Sequence, residues 1–332
     1  MGAEHKTHQT LRCAASPSLA LVKYWGKWNE GVNVPATTSI AVTLSHLESV
    51  AEIRITDRAD QECVTVGGVP QDGARYAPFF ANLRAEARRD AWFMVDSINS
   101  FPTGAGLASS SSAFAALAFG CTRSLGMTLP PEKLSRIARV GSGSAARAVY
   151  GGFTRFSAGA ELAEPVAAQS HWADLRVVIA VVDCGPKTVS SRSAMNRSAD
   201  TSVYYSRWIE CSEDLAARAE RAILDRDIEV LGVAMRQSYL RMFATMFTAE
   251  PPVFYWLPET VAVIRACEQL RQQGVPAWET MDAGPQVKIL TTADYAYRVC
   301  EGIGRVADHG EILVVGVGAA PREIGGTGGA PR

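Results

Sequence analysis

The seven cysteines of this chain nowhere form a Cys-x-x-Cys pair, and they offer no cysteine–histidine set at metal-ligand spacing. That argues against a structural zinc site or a disulfide scaffold and fits a reducing compartment. Cys184, beside Gly185, is a candidate reactive thiol, but a small buried hydrophobe is the commoner role of a free cysteine. No apolar run reaches the length that spans a bilayer. The segment with Glu4, His5, Lys6 and His8 lacks the apolar core of a secretory leader, so a cytoplasmic location with no membrane partner is expected. Neither sign of charge dominates: 33 Lys and Arg stand against 34 Asp and Glu. The net charge of −1 therefore supplies no basic field for a nucleic-acid partner.

Two phosphate-binding signatures are missing as well. No lysine follows the second glycine of Phe101-Pro-Thr-Gly-Ala-Gly-Leu-Ala-Ser-Ser-Ser-Ser112, so this is not the Gly-x4-Gly-Lys-Ser/Thr loop. Ser109 stands where a dinucleotide fingerprint would place its third glycine. What is present still points to an anion. A strand-like run, Trp92 to Val95, leads into the loop, and an alanine-rich apolar run, Ala113 to Phe119, leaves it as a helix. Gly104 and Gly106 let backbone N–H groups approach a ligand closely. Serines cap free donors, and a helix N-terminus favours negative charge. A polyphosphate fits; so does a plain capped helix after a glycine-rich turn.

At 332 residues the chain has room for two domains or one large one. Strands are predicted at Leu19–Val22, Ser39–Leu44, Ala51–Thr56, Tyr150–Phe156, Leu175–Val182, Trp278–Met281, Gln286–Thr291 and Glu311–Val315. Gly67-Gly68 predicts a hairpin. Helices are predicted at Tyr76–Arg89, Glu132–Arg139 behind Pro130-Pro131, Leu257–Gln273 closed by Gly274, and Tyr295–Ile303. From Ser198 to about Leu240 two helices broken near Asp225–Asp227 are expected. Gly141 to Arg147 reads as a loop, and Met1–Gln9 and the tail from Pro321 as unstructured. The sum is an α+β protein in two lobes, divided as residues 1–185 and 186–332.

Three further islands put charge or small residues where packing alone would choose otherwise. Lys23-Tyr24-Trp25-Gly26-Lys27 sets two lysines about a turn, suited to an anionic substrate; a solvated turn with Trp25 as a core plug fits equally. Arg147 sits among small residues after Ser142-Gly-Ser144, and its planar fork matches a carboxylate or phosphate, with a structural salt bridge as the alternative. Asp282, in Met281-Asp-Ala-Gly-Pro285, ends a strand at a turn. As a catalytic base it needs a partner such as Lys23 or Arg147.

Taken in order and at their spacing, Lys23-Tyr-Trp-Gly-Lys27, Pro102-Thr-Gly-Ala-Gly-Leu-Ala-Ser-Ser110, Gly141-Ser-Gly-Ser-Ala-Ala-Arg147 followed by Tyr150-Gly-Gly-Phe153, and Asp282-Ala-Gly-Pro285 resemble the diphosphomevalonate decarboxylases of the GHMP kinase superfamily. Ser170-His-Trp172 and Thr201-Ser202 match too, and the resemblance runs from about Cys13 to Leu290. It implies a two-lobe α/β sandwich with the active cleft between the lobes. It also implies ATP and Mg²⁺, a homodimer, and phosphorylation of a tertiary 3-hydroxyl followed by loss of phosphate and CO2. By the same resemblance, Asp282 orients or deprotonates the hydroxyl and Lys23 stands beside it. Arg147 grips the substrate carboxylate, and Ser110 lies near the transferring phosphoryl group and the magnesium. Tyr24, Lys27, Ser144 and Ser18 form the substrate pocket. Ser97 and Gly104, Ala105, Gly106, Leu107, Ala108, Ser109, Ser110 and Ser111 form the ATP site. The chain departs from the family at Ser18 and Gln286, where asparagine is usual, and at Tyr239 to Phe243, changes expected to border the substrate pocket and bear on the 5-substituent. The alternatives are a phosphomevalonate decarboxylase and a non-catalytic, ligand-sensing protein of the same fold, which would be expected to lose these charged residues.

Overall fold

Alternation sets the first sheet. In β6 (Ser49–Thr56) buried and outward-facing side chains alternate from Ser49 to Ile55, so the strand has one core face and one wet face. It pairs antiparallel with β1 (Leu11–Ala15) and β9 (Trp92–Asn99). The hairpin of β7 (Cys63–Val66) and β8 (Val69–Pro70) turns at Gly67-Gly68 as predicted. The computed structural model describes residues 10–29, 31, 33–101, 109–183, 185, 187–306 and 310–325.

Four helices pack with this sheet: α1 (Gly73–Ala87), α2 (Ser109–Ser124), α3 (Pro131–Gly141) and the short α4 (Ala145–Ala148). Phe79, Phe80, Phe93 and Phe114 lock this core, with neighbouring ring centroids 5.4–5.5 Å apart. A second sheet runs β11 (Glu164–Ala167), β10 (Phe153–Phe156), β5 (Ser39–Thr43) and β2 (Ser18–Val22). A third runs β13 (Trp278–Met281), β14 (Val287–Thr292), β12 (Leu175–Ala180) and β15 (Ile312–Val315). Helix α6 (Tyr205–Asp225) packs against the second sheet, and α7 (Ile228–Phe247) against strands of both. Leu21, Val42, Phe153, Leu215, Met235 and Leu290 close the core between them. A third core takes α5 (Ser191–Thr201), α8 (Pro258–Gln272) and α9 (Ala293–Gly304). The α+β class stands as expected. β12 lies before the expected boundary at 185/186, yet it is hydrogen-bonded into the sheet of β13, β14 and β15.

Several boundaries are corrected. The tail from Pro321 is not wholly without regular structure: β16 (Arg322–Glu323) pairs with the open edge of β1, and Ile324 N–H donates to Arg12 C=O at 2.9 Å. Backbone pairing at an edge needs no apolar pattern, so the sequence carries no sign of it. Ser109 to Ser112 already belong to α2. The Ser198–Leu240 stretch is not two helices but parts of three. Ser190 caps α5 by accepting from Ser193 N–H, and the helix buries only Ala194, Met195 and Ser198, which leaves its periodicity faint. The break at Asp225–Asp227 is where it was expected. Arg226 takes a left-handed conformation, and the Asp227 carboxylate accepts from Glu229 and Val230 N–H at 3.0 Å.

Between β2 and β3 (Lys27–Asn29) the chain turns at Gly26, whose φ is +121°. β3 pairs with β4 (Val34–Pro35). A Cβ at Gly26 would lie 1.9 Å from Tyr205 Oη on α6. Gly26→Ala is therefore expected to cost about 2–3 kcal/mol of unfolding free energy, measured by urea titration. An unshifted midpoint would mean that the turn relaxes freely.

Candidate active site

One cleft of about 520 Å³ gathers residues from every part of this architecture. Lys23 enters it from the end of β2, fully buried. Its backbone N–H donates to Ser238 Oγ on α7 at 2.9 Å, and its Nζ donates to Ala20 C=O at 2.7 Å and to Asp282 Oδ1 at 2.9 Å. Asp282 follows β13 and opens a quarter of its side chain to the cleft. Its other oxygen, Oδ2, is buried and faces Lys288 Nζ of β14 at 3.3 Å. One carboxylate is thus held between two buried lysines.

The electrostatics follow from this packing. Burial pushes the Asp282 carboxyl upward, but the ammonium groups of Lys23 and Lys288 outweigh it and hold the carboxyl well below the usual carboxylate range. Burial lowers Lys23 to about 8 against the pull of Asp282, with Lys288 and Arg147 adding to the fall. Lys187 is likewise lowered to about 8, by burial and then by Lys288, with Asp282 opposing. Its Nζ donates to Ala283 C=O, next to Asp282.

Arg147 is 2% exposed, although α4 has only four residues. The side chains around it are small: Ala145, Ala146 and Ala148. Its Nη1 donates to Ser39 Oγ, its guanidinium stands 5.9 Å from the centre of the Tyr24 ring, and its Nε has no hydrogen-bond partner among the described residues. Among the described residues no carboxylate answers it at salt-bridge distance, so its charge is free to meet an anion in the cleft. Burial lowers it to about 10, with Tyr24 and Asp282 opposing. Burial also pushes the Tyr24 hydroxyl above its usual range, against Arg147, so it remains a donor. Gly143 passes so close to Tyr24 that a Cβ there would meet the hydroxyl at 2.4 Å.

The predicted residues do not all meet. Ser18, Lys23, Tyr24, Lys27, Ser110, Ser144, Arg147 and Asp282 line the cleft together. Ser110 Oγ lies 3.3 Å from Ser142 Oγ, and Ser142 lies 3.1 Å from Ser144, so a row of hydroxyls joins α2 to the α3–α4 link. Ser111 turns inward instead and accepts from Ser18 N–H at 3.1 Å. Ser97 lies within β9, opposite Ala51, and does not line the cleft. Ser109 opens α2 and is not among the lining residues. Gly104, Ala105, Gly106, Leu107 and Ala108, like Cys184, fall outside the described residues.

Of the departures, Ser18 lines the cleft, its Oγ buried and without a hydrogen-bond partner among the described residues, and within the Tyr239–Phe243 stretch Met242 lines it too. Tyr239 and Phe243 do not border it; both are fully buried, and Tyr239 Oη donates to Glu279 at 3.0 Å. Gln286 is buried too and ties the end of β12, accepting from Val182 N–H. A residue next to a motif in sequence can face away from it, because successive positions on a helix or strand point in different directions.

Sequence reasoning missed Lys288, Lys187, Arg192 and Arg75. Lys288 had a signal: it interrupts the apolar run Val287-Lys-Ile-Leu290. Arg75 and Arg192 had none, since an arginine on a helix reads as solvated.

The diphosphomevalonate decarboxylase-like N-terminal domain model matches residues 15–168, and the mevalonate 5-diphosphate decarboxylase C-terminal domain model matches residues 177–312. A diphosphomevalonate decarboxylase of Gibberella zeae is 34% identical, over 87% of this chain and 85% of that protein. The Homo sapiens one is 30% identical, over 88% and 79%. The crystal structure of mevalonate diphosphate decarboxylase from Staphylococcus aureus superposes with a TM-score of 0.90 at 33% identity, covering 96% of this chain and 98% of that one. A structure of MDDEF in complex with MVAPP, AMPPCP and magnesium does so with a TM-score of 0.88 at 31% identity, covering 95% and 98%. With both family models and these relatives covering most of its length, the chain belongs to the diphosphomevalonate decarboxylase family.

Proposed function

We propose that this protein catalyses the ATP-dependent decarboxylation of mevalonate 5-diphosphate to isopentenyl diphosphate. The observation that carries the reading is the cleft itself: one ionised carboxylate between two lysines, and in the same cleft a buried arginine with no acidic partner at salt-bridge distance among the described residues. Such a site suits a polyanion that bears both a hydroxyl and a carboxylate. The complex of a family member with MVAPP, AMPPCP and magnesium supports it.

In this mechanism Asp282 accepts the proton of the tertiary 3-hydroxyl as its oxygen attacks the γ-phosphorus of ATP, and ADP leaves. A tertiary alcohol is a poor nucleophile, so positioning and charge neutralisation do most of the work. Lys23 keeps Asp282 ionised and close. Arg147 holds the substrate carboxylate as an anion. The C3–O bond then breaks with phosphate as leaving group, the C1–C2 electron pair becomes the new double bond, and CO2 departs. Tyr24, Lys27 and Ser144 hold the 5-phosphates, with Ser18 beside them. Residues 104–110 and Ser97 serve the ATP phosphates, with Ser111 contributing its backbone rather than its hydroxyl, which is turned to Ser18. Magnesium takes oxygen ligands and keeps waters, so the Ser110 hydroxyl on the cleft wall fits it, and with ATP bound the ion would draw charge off the transferring phosphoryl group.

The N-terminal domain (1–185) then brings Arg147 and the ATP loop, and the C-terminal domain (186–332) brings Asp282. Among the described residues no helix is long and apolar enough to cross a membrane. The reading includes a cytoplasmic homodimer without a nucleic-acid partner.

The test offers mevalonate, its 5-phosphate and its 5-diphosphate in parallel with Mg-ATP, following ADP and CO2. Turnover with CO2 on the diphosphate is expected. CO2 from the monophosphate alone would move the assignment to a phosphomevalonate decarboxylase, and ADP without CO2 would mean a kinase.

The lysines fix a pH limb. Lys23 and Lys187 act as cations, so kcat/KM is expected to fall as pH rises through about 8. Stability moves the other way. Between about 8 and 10.5 the unfolded state binds more protons at these two residues than the native state, so their contribution to stability rises with pH. Activity lost at pH 9 while the melting temperature holds would match this; a flat profile to pH 10 would count against it.

A further inference from the structure

Lys288 does not line the cleft, has no part in the mechanism above, and is nevertheless buried beside its central carboxylate. It sits on β14, the strand between β13 and β12, opposite Thr280 and Ile179. A lysine at such a position must take an ammonium out of water, which is expensive unless an anion meets it. Asp282 Oδ2 meets it at 3.3 Å, from a loop that begins one residue after β13. The two lysines divide the carboxylate between them. Lys23 takes Oδ1 from the cleft side, and Lys288 takes the buried Oδ2 from within the sheet.

We propose that Lys288 is a positioning residue for catalysis: anchored in β14, it holds Oδ2 of Asp282 so that Oδ1 alone is presented to the substrate hydroxyl, and its charge sets the field in which Lys23 works. The inference rests on the decarboxylase reading. A carboxylate held at one oxygen alone, by a lysine that itself titrates, would swing; a second contact from a rigid strand prevents this. The charged groups around Asp282 and Lys23 come from every side: Lys288 from β14, Arg147 from α4, Lys187 from the segment after β12, and Arg192 from α5. From α7 the groups nearest are uncharged, Ser238 and Met242. Lys288 lowers both Lys23 and Lys187, so losing its charge raises both.

The experiment compares the parent with Lys288→Met and Lys288→Gln, following CO2 and ADP from mevalonate 5-diphosphate between pH 6 and 10. The parent's turnover tests the functional reading separately. Lys288→Met is expected to lower kcat 10- to 100-fold, leave the KM for ATP within about twofold, and move the alkaline limb of kcat/KM upward by half a pH unit or more. A purely structural lysine would lower the melting temperature without moving the limb upward. Lys288→Gln keeps a donor for Oδ2 and loses only the charge, so it reads the same limb even where the methionine variant does not fold. A limb that stays at the parent's position in the folded variants overturns the proposal while the decarboxylase reading stands. A parent that releases no CO2 overturns both.

Discussion

Asp282→Asn is expected to lower kcat by about 1,000-fold, in the range that removing a general base costs. The amide keeps the shape of the carboxylate and an oxygen for Lys23 Nζ, now 2.9 Å away, but it takes no proton. ATP binding should survive, since no mechanism step gives Asp282 a contact with the nucleotide. The fold pays part of the cost. With the carboxylate's charge gone, the buried Lys23 and Lys288 lose the anion they share. A buried pair that loses one partner costs more than this site will, because Asp282 is a quarter exposed; about 2 kcal/mol is expected near pH 7. That cost should shrink as pH rises toward 8, because Lys23, without Asp282 to raise it, sheds its proton below about 8. Activity and melting temperature measured across pH 6–9 separate the two effects. Turnover within tenfold of the parent would remove Asp282 from the chemistry.

Arg147→Lys is expected to lower kcat/KM for the diphosphate substrate about 100-fold, with the KM for ATP little changed. The guanidinium already uses Nη1 on Ser39, while Nε has no partner among the described residues. A planar fork meets a carboxylate with two parallel bonds, whereas an ammonium meets it as a point. Arg147→Met sharpens the test. It should be at least as inactive, yet melt no lower than the parent, because it removes a buried cation that no acid among the described residues meets at salt-bridge distance. A large fall in melting temperature for the methionine variant would make Arg147 a structural residue. Parental kinetics in the lysine variant would move the carboxylate grip elsewhere.

The parts of the fold that were legible are those whose signals are local. β6 declared itself by alternation, the α6–α7 break by the polar run from Asp225 to Asp227, and the β7–β8 hairpin by its two glycines. Those that were not are long-range or weakly apolar. β16 is two residues of backbone pairing with β1, more than 300 positions away in the chain, and α5 buries only three side chains. The candidate site divides in the same way. Lys23, Arg147 and Asp282 were visible because each breaks a local expectation: a lysine at the end of a buried strand, an arginine among alanines, an acid in a tight turn.

By itself, then, the sequence determined the α+β class, the family and the residue types that the chemistry needs, since each is written in short motifs and periodicities. Tertiary structure alone decided which of those residues act together. It brought Lys23 to Asp282 across 259 positions, turned Ser111 toward Ser18 rather than into the cleft, and hid Tyr239 and Phe243 in a core. It also set Lys288 behind the carboxylate. The reason is that a side chain's direction depends on the register of its strand or the phase of its helix, and the sheet that fixes Lys288 is completed by residues from Leu175 to Val315.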